Sequence, residues 1–179
     1  MDAWRRTFDT VTVVVGNDLD AAEVVADALG IGAEPIEVSH LCPNCGGTDH
    51  GRPVVVAPAR QRDVGVSIAH SHGIDAIAVN PQGSVGIDLE SIAQVARRRV
   101  ADVLVRPDEI AATPTDAARL WTTKEALLKL SGHGLRLDLR ELRVSGGELV
   151  SWPSPLFADG VPNIRSFPIT EDLIASVAW

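Results

Sequence analysis

Two acidic residues near the middle of the chain have the spacing of a small metal site. Asp88 and Glu90 are separated by one residue at the end of the apolar segment 86–90, Gly-Ile-Asp-Leu-Glu. Alternate residues of a strand project to one side, so these carboxylates would lie about 6–7 Å apart and repel each other unless a cation neutralises them. Oxygen-only ligands of this kind suit Mg²⁺. Taken alone, such a pair is more often a strand end with both acids in water.

A second group of candidate residues lies on a segment with helical periodicity. Trp121, Glu125 and Lys129 recur at every fourth position, and Lys124 precedes the acid. Glu125 and Lys129 alone would be an ordinary surface ion pair, which contributes about 0.2–0.5 kcal/mol to a helix. Trp121 alone would be a core residue. If this helix packs against the strand with Asp88, three acids and two lysines meet in one place.

The two segments and two upstream motifs together resemble a known family. The strand motif at 86–90 precedes Trp-x-x-Lys-Glu-x-x-x-Lys and Gly-x-Gly-Leu at 121–135, while Gly-Arg-Pro lies at 51–53 and Ala-His-Ser at 69–71. This order resembles the 4′-phosphopantetheinyl transferases, specifically the larger, Sfp-like type that activates carrier proteins of natural-product synthases such as those for polyketides and nonribosomal peptides. The resemblance covers roughly residues 42–135.

The resemblance implies transfer of phosphopantetheine from coenzyme A to a serine hydroxyl of an apo acyl or peptidyl carrier protein, with adenosine 3′,5′-bisphosphate as the other product. Asp88, Glu90 and Glu125 would hold Mg²⁺, which also binds the pyrophosphate of coenzyme A. Glu125 would also be the candidate general base, directly or through water. Lys129 would neutralise or protonate the departing phosphate.

Three further cations would contact coenzyme A by the same resemblance. Lys124 would be a second phosphate contact, and His70 and Arg52 would bind the phosphates, with Arg52 at the 3′-phosphate. Ala69 stands where many members of the family have serine, and the chain before Arg52 is short for the Sfp-like type. Glu109 matches either a further acid of the family or an acid in the first turn of a helix.

The composition indicates a globular protein with an acidic surface. The chain has 179 residues, 45% of them hydrophobic, and a formal net charge of −8. This charge disfavours nucleic-acid binding and means that an anionic ligand needs a local cation cluster or a metal. No apolar run is long enough to span a bilayer and no apolar signal core follows Met1, so a cytoplasmic protein is expected. The basic run at 97–99 is either a solvated helix face or a docking patch for an acidic partner.

The only two cysteines in the sequence form one Cys-Pro-Asn-Cys-Gly step. Cys42 and Cys45 have the separation of zinc ligands, and His40 and His50 are nearby nitrogen donors. One such step is half of a usual zinc motif. Reduced loop thiols are therefore the simpler interpretation, and bound zinc the alternative.

The pattern of hydrophobic residues predicts interleaved strands and helices, and hence an α+β fold. Strands are predicted at 10–15, 54–57, 64–69, 74–80, 84–89, 140–144, 148–152 and 172–177. Helices are predicted at 18–29, in part of 92–105, from 107–109, and at 115–131 with a cap at Thr115 or Asp116. Residues 32–53 are predicted to be irregular, and 74–90 and 140–152 to be hairpins.

The resemblance implies one transferase domain built as a pseudo-dimer of two similar α+β halves with coenzyme A in the cleft between them. The halves are expected at residues 1–80, with part of the coenzyme site, and 81–179, with the metal and catalytic residues. A monomer would then hold a whole site. Two other functions are considered: a non-catalytic module that binds coenzyme A or a nucleotide, and a small zinc-loop interaction protein built on Cys42 and Cys45.

Overall fold

The computed structural model describes residues 3–31, 36–42, 45–57, 63–98, 106, 109, 111–133, 137–153, 156–157 and 160–179. The strands are β1 (Trp4–Phe8), β2 (Val11–Gly16), β3 (Glu37–Leu41), β4 (Arg52–Ala57), β5 (Gly65–Ser71), β6 (Ile74–Asn80), β7 (Gly86–Ser91), β8 (Arg143–Ser145), β9 (Glu148–Ser151), β10 (Ile164–Pro168) and β11 (Leu173–Ala178). The helices are α1 (Ala21–Leu29), α2 (Ile92–Arg97) and α3 (Pro114–Ser131), and a 3₁₀ turn covers Leu139–Glu141. This mixture of sheets and helices is compatible with the predicted α+β class.

The strands form two main sheets that share a core. The first sheet has the order β1-β2-β6-β5-β4-β3, and the second has the order β10-β11-β7, with antiparallel pairs throughout. Alternate residues of β2 separate the two sides of the first sheet, because side chains alternate along a strand. Val13 and Val15 pack with Ile87 and Leu89 of the second sheet, whereas Val14 packs beneath α1. The layers are therefore α1, first sheet, second sheet and α3.

Helix α3 covers the outer face of the second sheet. Its buried residues include Leu127 and Leu128, which pack with Ile174 of β11. The β8–β9 hairpin covers the same cluster through Val144 and Leu149. This arrangement places α3 directly against β7, which carries the two acids of the strand motif.

The ends of the longer helices follow ordinary capping chemistry. The side chain of Asp20 accepts hydrogen bonds from two amides of α1, and Gly30 ends that helix in the left-handed conformation. Helix α3 begins after Thr113, whose hydroxyl and amide form a capping box with Asp116. The predicted cap at Thr115 is therefore wrong, because Pro114 occupies the first turn and moves the start of the helix.

The predicted hairpin at 74–90 is also wrong. Strand β6 pairs with β2 and β5, whereas β7 pairs with β11. Between them the chain crosses from one sheet to the other, and the side chain of Asn80 stabilises this crossover by accepting from the Gln82 amide and donating to the Ser84 carbonyl. The hairpin predicted at 140–152 is confirmed as β8–β9, although its first strand begins only at Arg143.

Three strands were not expected from the sequence pattern. Strands β1 and β10 are short, and β3 lies within the segment that was predicted to be irregular. The predicted helix start at 107–109 and the end of the segment at 92–105 fall mainly outside the described residues. None of the helices in the described part of the chain is long and apolar enough to cross a membrane.

Candidate active site

The alternation of side chains along β7 directs its acids toward α3. Ile87 and Leu89 are fully buried between the two sheets. Asp88 and Glu90 therefore project from the opposite face, against the helix. Asp88 is buried and Glu90 is partly exposed. The two carboxylates therefore lie on one face of β7, as the sequence predicted.

Gly86 allows α3 to approach β7 closely. A Cβ atom at this position would overlap the carbonyl oxygen of Ala126 and would lie 2.5 Å from the amide nitrogen of Leu130. Both contacts are with helix backbone, which cannot move aside as the end of a flexible side chain could. The first residue of the strand motif thus sets the distance between the acids and the helix.

Lys129 joins the helix to the strand. Its ammonium group donates hydrogen bonds of 2.8 Å to the carbonyl oxygen of Ile87 and 2.8 Å to Oδ1 of Asp88. The Lys129 side chain is 31% exposed, so one end of this ion pair reaches solvent. Glu125 lies one turn earlier on α3.

Two buried carboxylate oxygens at this place have no hydrogen-bond partner among the described residues. They are Oδ2 of Asp88 and Oε1 of Glu125. Burial and the negative charge of Asp88 raise the pKa of Glu125 to about 7, with Lys129 acting against the increase and Glu90 adding to it. Burial likewise raises the pKa of Asp88, while Lys129 opposes it. An unpartnered buried carboxylate is costly, so this arrangement fits the binding of a cation.

Glu90 completes the acidic group from the open side. Burial raises its pKa first and the charge of Asp88 second, while Arg98, a hydrogen bond with Trp121 and Lys129 act in the opposite direction. Trp121 therefore contacts Glu90 as well as packing against the core.

The donor set fits a divalent cation that prefers oxygen ligands. Asp88, Glu90 and Glu125 supply only carboxylate oxygens, and two of these oxygens are buried without a partner. Their ligand atoms are spread more widely than a closed coordination shell, because within the described ranges a group of three donor atoms lying within 4.8 Å occurs only in the cysteine loop. The charge of Asp88 nevertheless raises the pKa of both Glu90 and Glu125, so the three acids are close enough to interact.

A cleft of about 850 Å³ lies beside Lys129, whereas Asp88, Glu90 and Glu125 are not among the residues that line it. Its lining comes from the first sheet and its loops, the crossover and the end of α3: Cys42, 51–54, 63–68, 82–85, 128–130, Gly132 and His133. Arg52 and Lys129 thus lie on one cavity, and the Arg52 guanidinium is 3.8 Å from the position of a Cβ at Gly132. This volume is in the range of cofactor pockets.

His70 lies outside the residues that line the cleft. It projects from β5 into solvent, and its Nδ1 atom is 2.7 Å from Oδ1 of Asp75. Asp75 also accepts a hydrogen bond from the amide of Leu19, which fixes its carboxylate. The predicted phosphate contact of His70 stays a prediction.

Lys124 is also separate from the cleft. Its side chain has no exposed surface, and its ammonium group donates a 2.7 Å hydrogen bond to Oε2 of Glu109. Burial lowers the pKa of Lys124, and Glu109 opposes this change. The predicted phosphate contact of Lys124 stays a prediction, and this geometry gives the amine a carboxylate partner.

Glu109 is a buried acid whose hydrogen-bond partners the sequence did not reveal. Besides Lys124, it accepts hydrogen bonds from the amides of Arg106 and Val144. It is assigned to no helix. Its spacing from Lys124 is not periodic, so sequence reasoning had no signal for this pair.

Ser67 is a further residue that sequence reasoning missed. It lines the cleft, and its hydroxyl accepts a buried 3.0 Å hydrogen bond from the amide of Ile87. It therefore connects β5 of the first sheet to the strand that carries the acids. Ser67 lies in the segment 66–71 that ends with Ala-His-Ser, and this position was the available signal for its role.

The comparison with known families agrees with this site. Residues 84–151 match the family model of the 4′-phosphopantetheinyl transferase superfamily. This stretch contains β7, α3 and the β8–β9 hairpin, and it is a little over a third of the chain. No curated protein matches the chain significantly. Over this stretch, which carries the two acids of β7 and the helix opposite them, the chain is therefore similar to the 4′-phosphopantetheinyl transferase superfamily.

Proposed function

We propose that this protein transfers the 4′-phosphopantetheine group of coenzyme A to a serine of an apo acyl or peptidyl carrier protein in the presence of Mg²⁺. The serine oxygen forms a new bond to the phosphorus next to pantetheine. The pyrophosphate bond breaks, and adenosine 3′,5′-bisphosphate leaves. The products are holo carrier protein and the bisphosphate.

The observation that carries this proposal is the pair of unpartnered carboxylate oxygens on Asp88 and Glu125, next to Lys129, which lines the cleft. Asp88, Glu90 and Glu125 would hold Mg²⁺, because they present only oxygen donors and two of these are buried without a partner. When bound, the metal supplies positive charge that stabilises the pyrophosphate in the transition state. The family match over 84–151 covers all three residues.

The protein's own residues account for the proton transfers. Glu125 is the proposed acceptor of the serine proton, directly or through a water molecule, since it is a carboxylate one turn from Lys129 on the side of α3 that faces Asp88. Lys129 is the proposed donor to the departing phosphate. It already contacts Asp88 and faces the cleft, so its ammonium group can reach a bound phosphate without leaving the site.

Coenzyme A is proposed to lie in the 850 Å³ cleft. Arg52 supports this location, because a guanidinium fork binds a phosphate well and the protein otherwise has a net charge of −8. Arg52 is the proposed contact for the 3′-phosphate. His70 and Lys124 stay candidate phosphate contacts, although neither residue lines the cleft.

The Sfp-like type is the proposed subtype, with carrier proteins of natural-product synthases as partners. The two halves, residues 1–80 and 81–179, are proposed to form one transferase domain. The composition of the cleft supports this, since β4 and β5 come from one half and α3 from the other. One chain then contributes every residue named above, and a monomer is proposed to suffice.

The test is incubation of the purified protein with coenzyme A, Mg²⁺ and a panel of apo carrier proteins, followed by intact-mass spectrometry. The expected result is a gain of one phosphopantetheine on the carrier, with release of one equivalent of adenosine 3′,5′-bisphosphate. The matched controls are a reaction with chelator and the variant Asp88→Asn. No mass gain on any carrier would contradict the proposal.

Calorimetry separates this activity from the alternative of a non-catalytic module. Binding of coenzyme A without transfer to any carrier would favour the binding module. The presence of Lys129 on the cleft and of all three acids supports the catalytic alternative.

A further inference from the structure

A second group of metal-binding side chains lies in the loop between β3 and β4. The sulfur atoms of Cys42 and Cys45 and a ring nitrogen of His50 all lie within 4.8 Å of one another. Cys42 and Cys45 are not joined in a disulfide. Cys42 is buried, whereas Cys45 and His50 are exposed. The mechanism proposed for the acidic site uses none of these three residues.

The backbone of the loop is arranged around the sulfur atoms. The amide of Gly46 donates to the carbonyl of Cys42 at 2.9 Å, and the amide of Cys42 donates to the carbonyl of Gly47 at 2.9 Å. The amide of Gly47 donates to Sγ of Cys45 at 3.3 Å. A donor aimed at sulfur stabilises the thiolate, which is the form that binds metal. Gly46 has φ of 69°, a conformation that this turn requires.

His50 is oriented for coordination by a neighbouring carboxylate. Its Nδ1 atom is 2.7 Å from Oδ1 of Asp49, and its Nε2 atom is 3.4 Å from Sγ of Cys45. Histidine ligands of metals usually contact a carboxylate or carbonyl through the other ring nitrogen, which fixes the tautomer. Nε2 of His50 is therefore directed toward the sulfur atoms while Asp49 holds the opposite side of the ring.

We propose that Cys42, Cys45 and His50 bind one Zn²⁺ ion. Two thiolates and one imidazole are the donors that this metal prefers, and they exclude Mg²⁺, which takes oxygen ligands. The fourth position of the tetrahedron is open to water. The sequence pattern also suggested His40, but its donor atoms are not part of the group that meets within 4.8 Å.

The zinc ion would stabilise one wall of the cleft. The loop returns the chain from Leu41 to Arg52, and Cys42, Gly51 and Arg52 all line the cavity. A Cβ at Gly51 would overlap the backbone of Leu41, so the two ends of the loop are already in tight contact. Closing the loop with a metal would hold Arg52 in one position. This consequence rests on the proposed function, whereas the metal site itself does not.

The test is metal analysis of the full-length protein purified under reducing conditions and dialysed against metal-free buffer. We expect about one zinc ion per chain in the wild type. Cys45→Ser and His50→Gln should lose the metal, and both change exposed residues, so the fold should persist by circular dichroism. His40→Ala is the matched control and should keep the ion. Asp49→Asn should lower zinc affinity about 10–100-fold.

Cobalt provides a second readout that does not depend on transferase activity. Titration of the metal-free protein with Co²⁺ should give visible absorption of a tetrahedral complex and a thiolate charge-transfer band, both absent in Cys45→Ser. Zinc should also raise the Tm of the wild type but not that of Cys45→Ser. A metal-free wild type that fails to bind added zinc, equal binding by Cys45→Ser, or half an ion per chain in a dimer would overturn the proposal.

Discussion

Two lysines of α3 each form an ion pair with a carboxylate, and the two pairs differ in exposure and in hydrogen bonding. Lys124 and Glu109 are both almost completely enclosed, and Glu109 also accepts two backbone amides, so both of its oxygens have partners. Lys129 and Asp88 form an ion pair of similar length, yet Lys129 is 31% exposed and Oδ2 of Asp88 has no partner among the described residues. A satisfied buried pair holds a fold together, whereas an incompletely satisfied pair beside a cleft is available for a ligand.

Lys124→Met gives the largest expected effect on stability. It leaves the carboxylate of Glu109 buried without its cation, which costs about 3–5 kcal/mol of the free energy of unfolding. Chemical denaturation measures this loss. Lys129→Met is the matched variant and should lose less than half as much, because the Lys129 side chain is 31% exposed and solvent already screens part of this ion pair.

The same two variants test whether Lys124 has a structural role at all. If Lys124→Met keeps its stability but loses affinity for coenzyme A, then Lys124 is the phosphate contact that the sequence suggested. The two pairs would then share one function.

Glu125→Gln should lower the rate of phosphopantetheine transfer by about 10²–10⁴-fold, as expected for loss of a general base and metal ligand. Its Tm should be equal to that of the wild type or higher, since the change removes a buried charge with an unpartnered oxygen. Steady-state kinetics and thermal unfolding measure the two effects. A large loss of stability would place Glu125 with the structural pair instead.

Gly86→Ala should destabilise the protein by about 1–3 kcal/mol, because the new methyl group overlaps the backbone of α3 and forces the helix away from β7. The separation of Lys129 from Asp88 should increase, and transfer should slow. Gly16→Ala is the matched control: its Cβ would lie 3.1 Å from the end of the Leu19 side chain, which can move. Equal stability of the two variants would contradict the role of Gly86.

Asp172→Asn should have the smallest effect, a fall of a few degrees in Tm at neutral pH. The Asp172 carboxylate accepts from the Ser91 hydroxyl at 2.6 Å and the Ala93 amide at 2.8 Å, which joins the end of β7 to the start of α2. These hydrogen bonds lower the pKa of Asp172 below its usual 3.8.

The sign of the pH dependence follows from that lowered pKa. The contribution of Asp172 is present above about pH 4 and is lost as the pH falls through the folded-state pKa. The difference in Tm between wild type and Asp172→Asn should therefore shrink in acid. A difference that stays constant down to about pH 2 would contradict this origin.

Local patterns predicted the elements of the site better than their pairing. The alternation in 86–90 and the helical spacing of Trp121, Glu125 and Lys129 both appear in the structure as expected. The pairing of β7 with β11 could not be predicted, because the two strands are far apart along the chain. The short turn between β6 and β7 instead resembled that of a hairpin.

The burial of individual side chains could not be predicted from the sequence either. Lys124 and Lys129 are the same residue type on one helix, and the sequence does not show that they differ in exposure. In the structure Lys124 is enclosed with Glu109, whereas Lys129 is partly exposed. Arg52 was predicted through a motif and does line the cleft, whereas His70 has a similar motif context but faces solvent beside Asp75. The direction of each side chain depends on sheet register, which short motifs do not encode.

The crossover from β6 to β7 has a consequence for how a ligand would affect unfolding. Residues 82–85 connect the two sheets covalently and also form part of the cleft wall. A bound molecule that touches this wall together with Arg52 and Lys129 would link the first sheet, the crossover and α3, which packs on the second sheet. Such a ligand would make the separation of the first sheet from α3 less favourable, so that the two layers unfold together.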